Sequence, residues 1–171
     1  MSARNVRKPG RPVWEPLWPW LAGSLLLVSL VSGLGSSIVA GSVETWYRPL
    51  LKPGLTPPDT LFPLIWSTLY IMMAIAAFFV FRQARSLRAA SAAFIAYGVQ
   101  LALNLGWTWL FFGLRNPFAA GVEVLVLFGA VALTLALFWS HSRAAALLLL
   151  PYLAWVGFAA WLTWRIVALN P

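Results

Sequence analysis

Cysteine is absent from this 171-residue sequence, which excludes disulfides, thiolate catalysis and zinc–thiolate sites. A single histidine, His141, leaves no multi-histidine metal site. With only four acidic residues there is no paired-carboxylate site, and neither a Ser/His/Asp set nor a phosphate-binding glycine loop is present, so conventional catalysis has no constellation to use. Charged residues make up 9% of the chain against 61% hydrophobic ones, with a mean hydropathy of +0.82. That balance leaves too little polar surface for a water-soluble fold, and the bilayer is the expected home of what is one domain by length.

What is abundant is tryptophan, with eleven residues, most of them in or at the ends of long apolar runs. Each indole brings a large apolar face and one N–H that needs a partner when buried. A membrane protein uses such residues as anchors at the lipid–water interface or as the lining of a pocket for a flat, apolar ligand. The net charge of +8 does not point to nucleic acid, because the basic residues sit at the ends of apolar runs, where orientation and lipid contact explain them.

Punctuation divides the chain into a basic, proline-broken tail (1–17) and five apolar spans, at about 18–40, 61–81, 89–113, 118–139 and 144–169. Each has the roughly 20 residues that a helix needs to cross about 30 Å of hydrocarbon. The first run is too long for a signal-peptide core and is read as retained. The short connections after the second span predict that successive helices are antiparallel neighbours in an all-α bundle. Arg4, Arg7, Lys8, Arg11, Arg82, Arg85, Arg88 and Arg143 fall on one side, and Arg48, Lys52, Arg115 and Arg165 on the other. The positive-inside rule then predicts a multi-pass protein, most simply of the cell membrane, with a cytoplasmic N-terminus. The one long connection, 41–60, contains Pro49, Pro53, Pro57 and Pro58 and reads as a stiffened loop, either a lid or an ordinary surface segment.

Three strings carry a resemblance. They are Trp46-Tyr47-x-x-Leu50-x-Lys52-Pro53-x-x-x-Pro57-Pro58-x-x-x-Phe62-Pro63-x-x-Trp66-x-x-Leu69-Tyr70, then Gln100-Leu101-x-Leu103-Asn104-x-x-Trp107-x-x-x-Phe111-Phe112-Gly113, then Pro151-Tyr152-Leu153-Ala154-Trp155-x-x-Phe158-Ala159. In order and spacing they resemble the signatures of the translocator protein family, also called tryptophan-rich sensory proteins (TspO) or peripheral benzodiazepine receptors, and the likeness is to a bacterial-type member. The resemblance implies a five-helix membrane bundle, often dimeric, that binds porphyrins such as protoporphyrin IX and, in some members, sterols and benzodiazepine-type drugs.

The residues also speak for themselves. Gln100, Asn104 and Trp107 stand at i, i+4 and i+7, so steps of about 100° put them in one stripe of the third helix. Amides inside hydrocarbon need partners, which admits either interhelical hydrogen bonds or a pocket wall. Phe62, Trp66 and Leu69 line one face of the second helix, and Trp155, Phe158, Ala159 and Leu162, with Thr163 beside them, one face of the fifth. Trp66 and Trp155 resemble the paired indoles that contact ligand in bacterial members, where they have also been linked to light-dependent porphyrin breakdown. Trp46 belongs to the lid. Trp14, Trp18, Trp20, Trp139 and Trp164 read as interface anchors or bundle filler, while Trp109 and Trp161 stay unassigned.

Departures from the family pattern are equally specific. Many members carry tryptophan at the stretch Gly54-Leu55 and near Thr60, and Leu-Asn where this chain has Leu162-Thr163. The proposed sterol motif is not met by Leu162-Thr163-Trp164-Arg165, so cholesterol is not the expected ligand. Gly98, Ala102 and Gly106 form a small-residue stripe opposite Gln100, suited to a homodimer or to packing within the chain; Ser29, Gly33 and Ser37 form another. Glu123, the one carboxylate inside a span, is either a functional acid or a structural group that caps a helix, pairs with a base such as Arg115 or accepts lid N–H bonds. His141 reads as an interfacial polar residue.

The expectation is therefore a membrane receptor or sensor that binds a tetrapyrrole, with no obligate cofactor and no metal. Its pocket lies under 41–60 and is lined by Tyr47, Trp66, Gln100, Asn104, Trp107, Trp155, Phe158, Ala159 and Thr163. The alternatives are a light-dependent porphyrin photo-oxidase using Trp66 and Trp155, and a transporter of porphyrin or another small apolar ligand. Membrane lipid and a second copy of the chain, through the third helix, are the other expected partners.

Overall fold

Polar and proline breaks in the sequence become the helix ends. The computed structural model describes residues 18–171, and in it α1 runs Trp18–Ala40, α2 Leu61–Gln83, α3 Ser91–Thr108, α4 Pro117–Trp139 and α5 Arg143–Leu169. The basic tail and Trp14 lie outside the described residues. No strand occurs among those described, and α1, α2, α4 and α5 are long and apolar enough to cross a membrane. The starts of α4 and α5 have local causes. The Asn116 side chain accepts the Ala119 N–H at 3.0 Å, with Pro117 in the first turn, and Ser142 Oγ accepts from Ala145 N at 3.3 Å.

The helices close a circuit in the order α1, α2, α5, α4, α3 and back to α1. This corrects the expectation that successive helices are neighbours throughout: it holds for α1 with α2, α3 with α4 and α4 with α5, but α2 is flanked by α1 and α5 and faces α3 across the interior. Residues 84–90 are long enough to carry the chain across that gap. Fully buried Ala74 and Ala76, with Ala77 beside them, give α2 a narrow profile, which lets two helices close on it. On α4 and α5, a Cβ at Gly121 would lie 3.1 Å from the Trp164 ring and one at Gly157 3.3 Å from Phe128, so each large ring occupies the place of an absent side chain. Trp164 thus takes the filler role, edge-on to Phe118 at 5.7 Å. On α1 only Val28 is buried, while Leu26, Leu27, Leu30 and Leu34 are exposed, a surface suited to lipid.

The 41–60 segment is more ordered than a proline-rich loop. It opens with a π-helical turn, Val43–Tyr47, and Ser42 Oγ donates to the Phe112 carbonyl at 2.6 Å. Arg48 pairs with Glu44 and lies 3.6 Å from Asp59. Lys52 sits 4.4 Å from the Tyr47 ring centroid and donates to the Arg48 carbonyl at 3.0 Å. The middle of the segment is held by Asn170, just beyond α5, whose amide accepts from Leu51 N and donates to Leu51 O, both at 3.0 Å. A second π turn, Trp109–Gly113, extends α3, and the chain then reverses through Arg115, whose φ of 53° is left-handed.

Two outcomes follow from this packing. Asn170→Ala removes the two-point clamp, and amide exchange at Leu51 should quicken by about fivefold, the equivalent of a hydrogen bond worth about 1 kcal/mol, with global melting nearly unchanged. Gly121→Leu should cost about 1–3 kcal/mol in reversible unfolding, whereas Gly129→Leu, where a Cβ meets nothing within 4 Å, should stay within about 0.5 kcal/mol of the parent.

Candidate functional site

A cavity of about 370 Å³ lies under the 41–60 segment, between α1, α2, α3 and α5. Its walls are mostly aromatic because each helix turns its ring-bearing stripe inward at the lid end. From α2 and α5 come Phe62, Trp66, Trp155 and Phe158, with Phe62 edge-on to Trp155 at 5.9 Å and Trp155 tilted on Phe158 at 5.5 Å. Opposite stand Trp107, Phe111 and Phe112 of α3 and its π turn, with Tyr47 from above. Trp107 stacks on Phe111 at 5.4 Å and 20°, and Trp46 packs edge-on behind Phe111 at 5.2 Å. Small residues of α1, Ser32, Gly35 and Ser36, form the remaining side.

The polar floor is a chain of hydrogen bonds joining three helices. Tyr70 Oη donates to Asn104 Oδ1 at 2.7 Å, Asn104 Nδ2 donates to Tyr152 Oη at 3.3 Å, and Tyr152 Oη donates to Gln100 Oε1 at 2.9 Å. Gln100 Nε2 ends the chain on Met73 Sδ at 3.8 Å. Tyr152 is completely buried and Gln100 is 1% exposed. Above the floor, Thr108 and Thr163 donate their hydroxyls to carbonyls of their own helices, at 3.1 and 2.8 Å. The Trp107 Nε1–H is buried and has no acceptor. At the lid, burial and then the nearby Asp59 carboxylate push the Tyr47 hydroxyl up to about 12, so it remains a neutral donor at physiological pH.

Of the residues expected in a pocket, Tyr47, Trp66, Asn104, Trp107, Trp155, Phe158, Ala159 and Thr163 do line this cavity. Gln100 does not: it lies behind Tyr152, because the phenol reaches it first. Both readings left open for the amides are thus combined in Asn104, which bonds between helices and reaches the cavity, whereas Gln100 only bonds. Glu123 takes none of the structural roles open to it. It neither caps nor pairs; its carboxylate oxygens are buried without a hydrogen-bond partner, and Arg115 instead lies 3.5 Å from Thr45 Oγ1. Tyr70, Tyr152 and the α1 wall complete the site, and the signal in the sequence for the two tyrosines is a phenol in an apolar run, which needs a partner. His141 is half-buried at the turn after α4. Trp109 and Trp161 are exposed, Trp161 stacked on Phe158 at 5.6 Å. Among the described residues no group of three His, Asp or Glu is placed to hold a metal ion.

Comparison with known proteins agrees with this architecture. Residues 24–169 match the model of the TspO/MBR family. The chain is 38% identical over 151 residues to the tryptophan-rich protein TspO of Chlorobaculum tepidum, covering 88% of this chain and 96% of the relative. It is 40% identical over 150 residues to the protein of the same name from Archaeoglobus fulgidus, with the same coverages of 88% and 96%. Against the human translocator protein identity is 36% over 154 residues, covering 88% of this chain and 91% of the relative. With a family match across nearly all of its described length and helices built for a bilayer, the chain is a membrane protein that belongs to the TspO/MBR family.

Proposed function

We propose that this chain is a membrane receptor or sensor that binds a tetrapyrrole, protoporphyrin IX or a related porphyrin, in the cavity under the 41–60 segment, and so contributes to porphyrin homeostasis or stress signalling. The observation that carries this reading is the unpaired, buried Trp107 Nε1–H on a wall of facing aromatic rings. Flat ring faces suit a flat macrocycle, and one donor that the protein leaves unanswered suits a ring-edge acceptor or a carboxylate. A volume of 370 Å³ is near the lower end for small-molecule sites, so a whole porphyrin enters with displacement of the lid, whose Lys52 supplies a cation for the carboxylates. Tyr47, Trp66, Asn104, Trp107, Trp155, Phe158, Ala159 and Thr163 then touch the ligand. Gln100 acts through Tyr152.

The same reading places α3 across the bilayer with the other four helices, its amides answered within the bundle, and puts the N-terminus in the cytoplasm of a cell-membrane protein. It also keeps the homodimer through α3: Gly98 and Ala102 are exposed, and a Cβ at Gly98 would meet nothing within 4 Å. Gly106 is already partly engaged, lying against Glu123 Oε1.

Titration of the purified chain with protoporphyrin IX in the dark, followed by Soret absorbance, is the test. A saturable shift is expected, and Trp107→Phe should weaken binding by about fivefold to tenfold, the worth of one buried hydrogen bond. A parent chain that leaves the Soret band unmoved would sink the tetrapyrrole assignment. Illumination of the same complex separates binding from photo-oxidation, since a bilin-like absorbance lost in Trp66→Phe or Trp155→Phe marks the latter. In sedimentation experiments Gly98→Leu should raise the monomer fraction.

A further inference from the structure

A second cavity, of about 240 Å³, lies at the opposite end of the bundle, where α2 and α3 fail to meet. It is lined by Trp20 and Ser24 of α1, Ala77 and Phe81 of α2, Leu87 of the connection and Phe94 of α3. Trp20 stacks on Phe81 with ring centroids 3.9 Å apart, and Ser24 donates its hydroxyl to the Trp20 carbonyl at 2.9 Å. The cleft surface is thus apolar and aromatic, set between helices that a membrane surrounds.

The end of α2 and the connection after it, which supply Phe81 and Leu87 to the cleft, carry charge of one sign. Arg82 follows Phe81 in sequence, Arg85 and Arg88 flank Leu87, and all three are exposed. Among the described residues both ion pairs belong to Arg48 at the lid end, and the carboxylates Glu44, Asp59 and Glu123 all lie in the lid or the lid half of the bundle. The sequence before α1 adds Arg4, Arg7, Lys8 and Arg11 against one acid, Glu15.

We infer that this cleft is a binding site for an anionic phospholipid, an acyl chain lying against Trp20, Leu87 and Phe94 and the headgroup phosphate held by Arg82, Arg85 and Arg88. Charge complementarity chooses this occupant over a zwitterionic lipid, and the apolar cleft chooses it over free phosphate: guanidinium groups take phosphate oxygens in bidentate fashion, while the rings take only hydrocarbon. The site is separate from the cavity under the lid, and ligand binding there does not depend on it. Its consequence is a chain that is held more tightly, at its arginine end, in membranes rich in acidic lipid.

Native mass spectrometry of the full chain, with equal amounts of phosphatidylglycerol and phosphatidylcholine of the same acyl chains, provides the test. Phosphatidylglycerol should be retained at least about tenfold better, and the triple variant Arg82→Gln, Arg85→Gln, Arg88→Gln should bring it to the phosphatidylcholine level. Ser24→Leu, which fills the cleft and leaves the arginines in place, should lower retention as well. Equal retention of the two lipids, a triple variant that keeps the preference, or an unaltered preference in Ser24→Leu would each overturn the proposal, the last by reducing it to surface attraction. Competition by glycerol phosphate at matched concentration would overturn it in favour of a phosphate site. A photoactivatable phosphatidylglycerol should label segment 77–94 and α1; cross-links from residues 2–17 into the cleft without lipid adducts would make the tail the occupant instead. Unchanged helical circular dichroism and thermal melting of the triple variant show that the chain is folded.

Discussion

Inside a lipid-embedded bundle there is no water to answer a polar group, and Tyr152 is where this chain meets that constraint. Its phenol, wholly buried, donates to Gln100 and accepts from Asn104, which in turn accepts from Tyr70, so α5, α3 and α2 are tied at one level. Such bonds within membranes are worth about 1 kcal/mol each, and their larger effect is on register. A slide of one helix along another would leave at least two of these groups without partners in hydrocarbon.

The register so imposed builds the cavity. Trp66 lies one turn from Tyr70, Trp107 and Thr108 one turn from Asn104, and Trp155 one turn from Tyr152, in each case toward the lid. The level fixed by the polar chain therefore carries the rings into a common layer. The lid closes that layer from both ends of the molecule's sequence, with Ser42 bonded to Phe112 and Leu51 clamped by Asn170. Among the described residues the other end shows no comparable polar tie between α2 and α3, and there the helices part to leave the second cleft.

Much of the bundle was readable in the chain because apolar length and proline, asparagine and serine breaks act locally. The expected limits of the helices moved by at most a few residues, as at α2, which continues to Gln83, and α3, which starts at Ser91. Eight expected pocket residues share one cavity: periodicity groups those of each helix on one stripe, and the likeness of the three strings to a known family supplied the association of those stripes with Tyr47 of the lid. What failed were statements about who stands next to whom. Gln100 was placed in the pocket because its stripe is that of Asn104, but a phenol from another helix covers it. Pairing with Arg115 was one of several roles open to Glu123, but the Arg115 side chain lies against Thr45 Oγ1 and the carboxylate has no hydrogen-bond partner.

The sequence by itself determined the solvent, the helices, their inward stripes and the kinship with the TspO/MBR family, since each depends on composition or on spacings within one element. The tertiary structure alone decided the circuit that sets α2 across from α3, the Tyr70–Asn104–Tyr152–Gln100 chain, the α1 wall and the Asn170 clamp. Those are pairings between residues 34 to 119 positions apart, and periodicity carries no information about which distant stripe another stripe will meet.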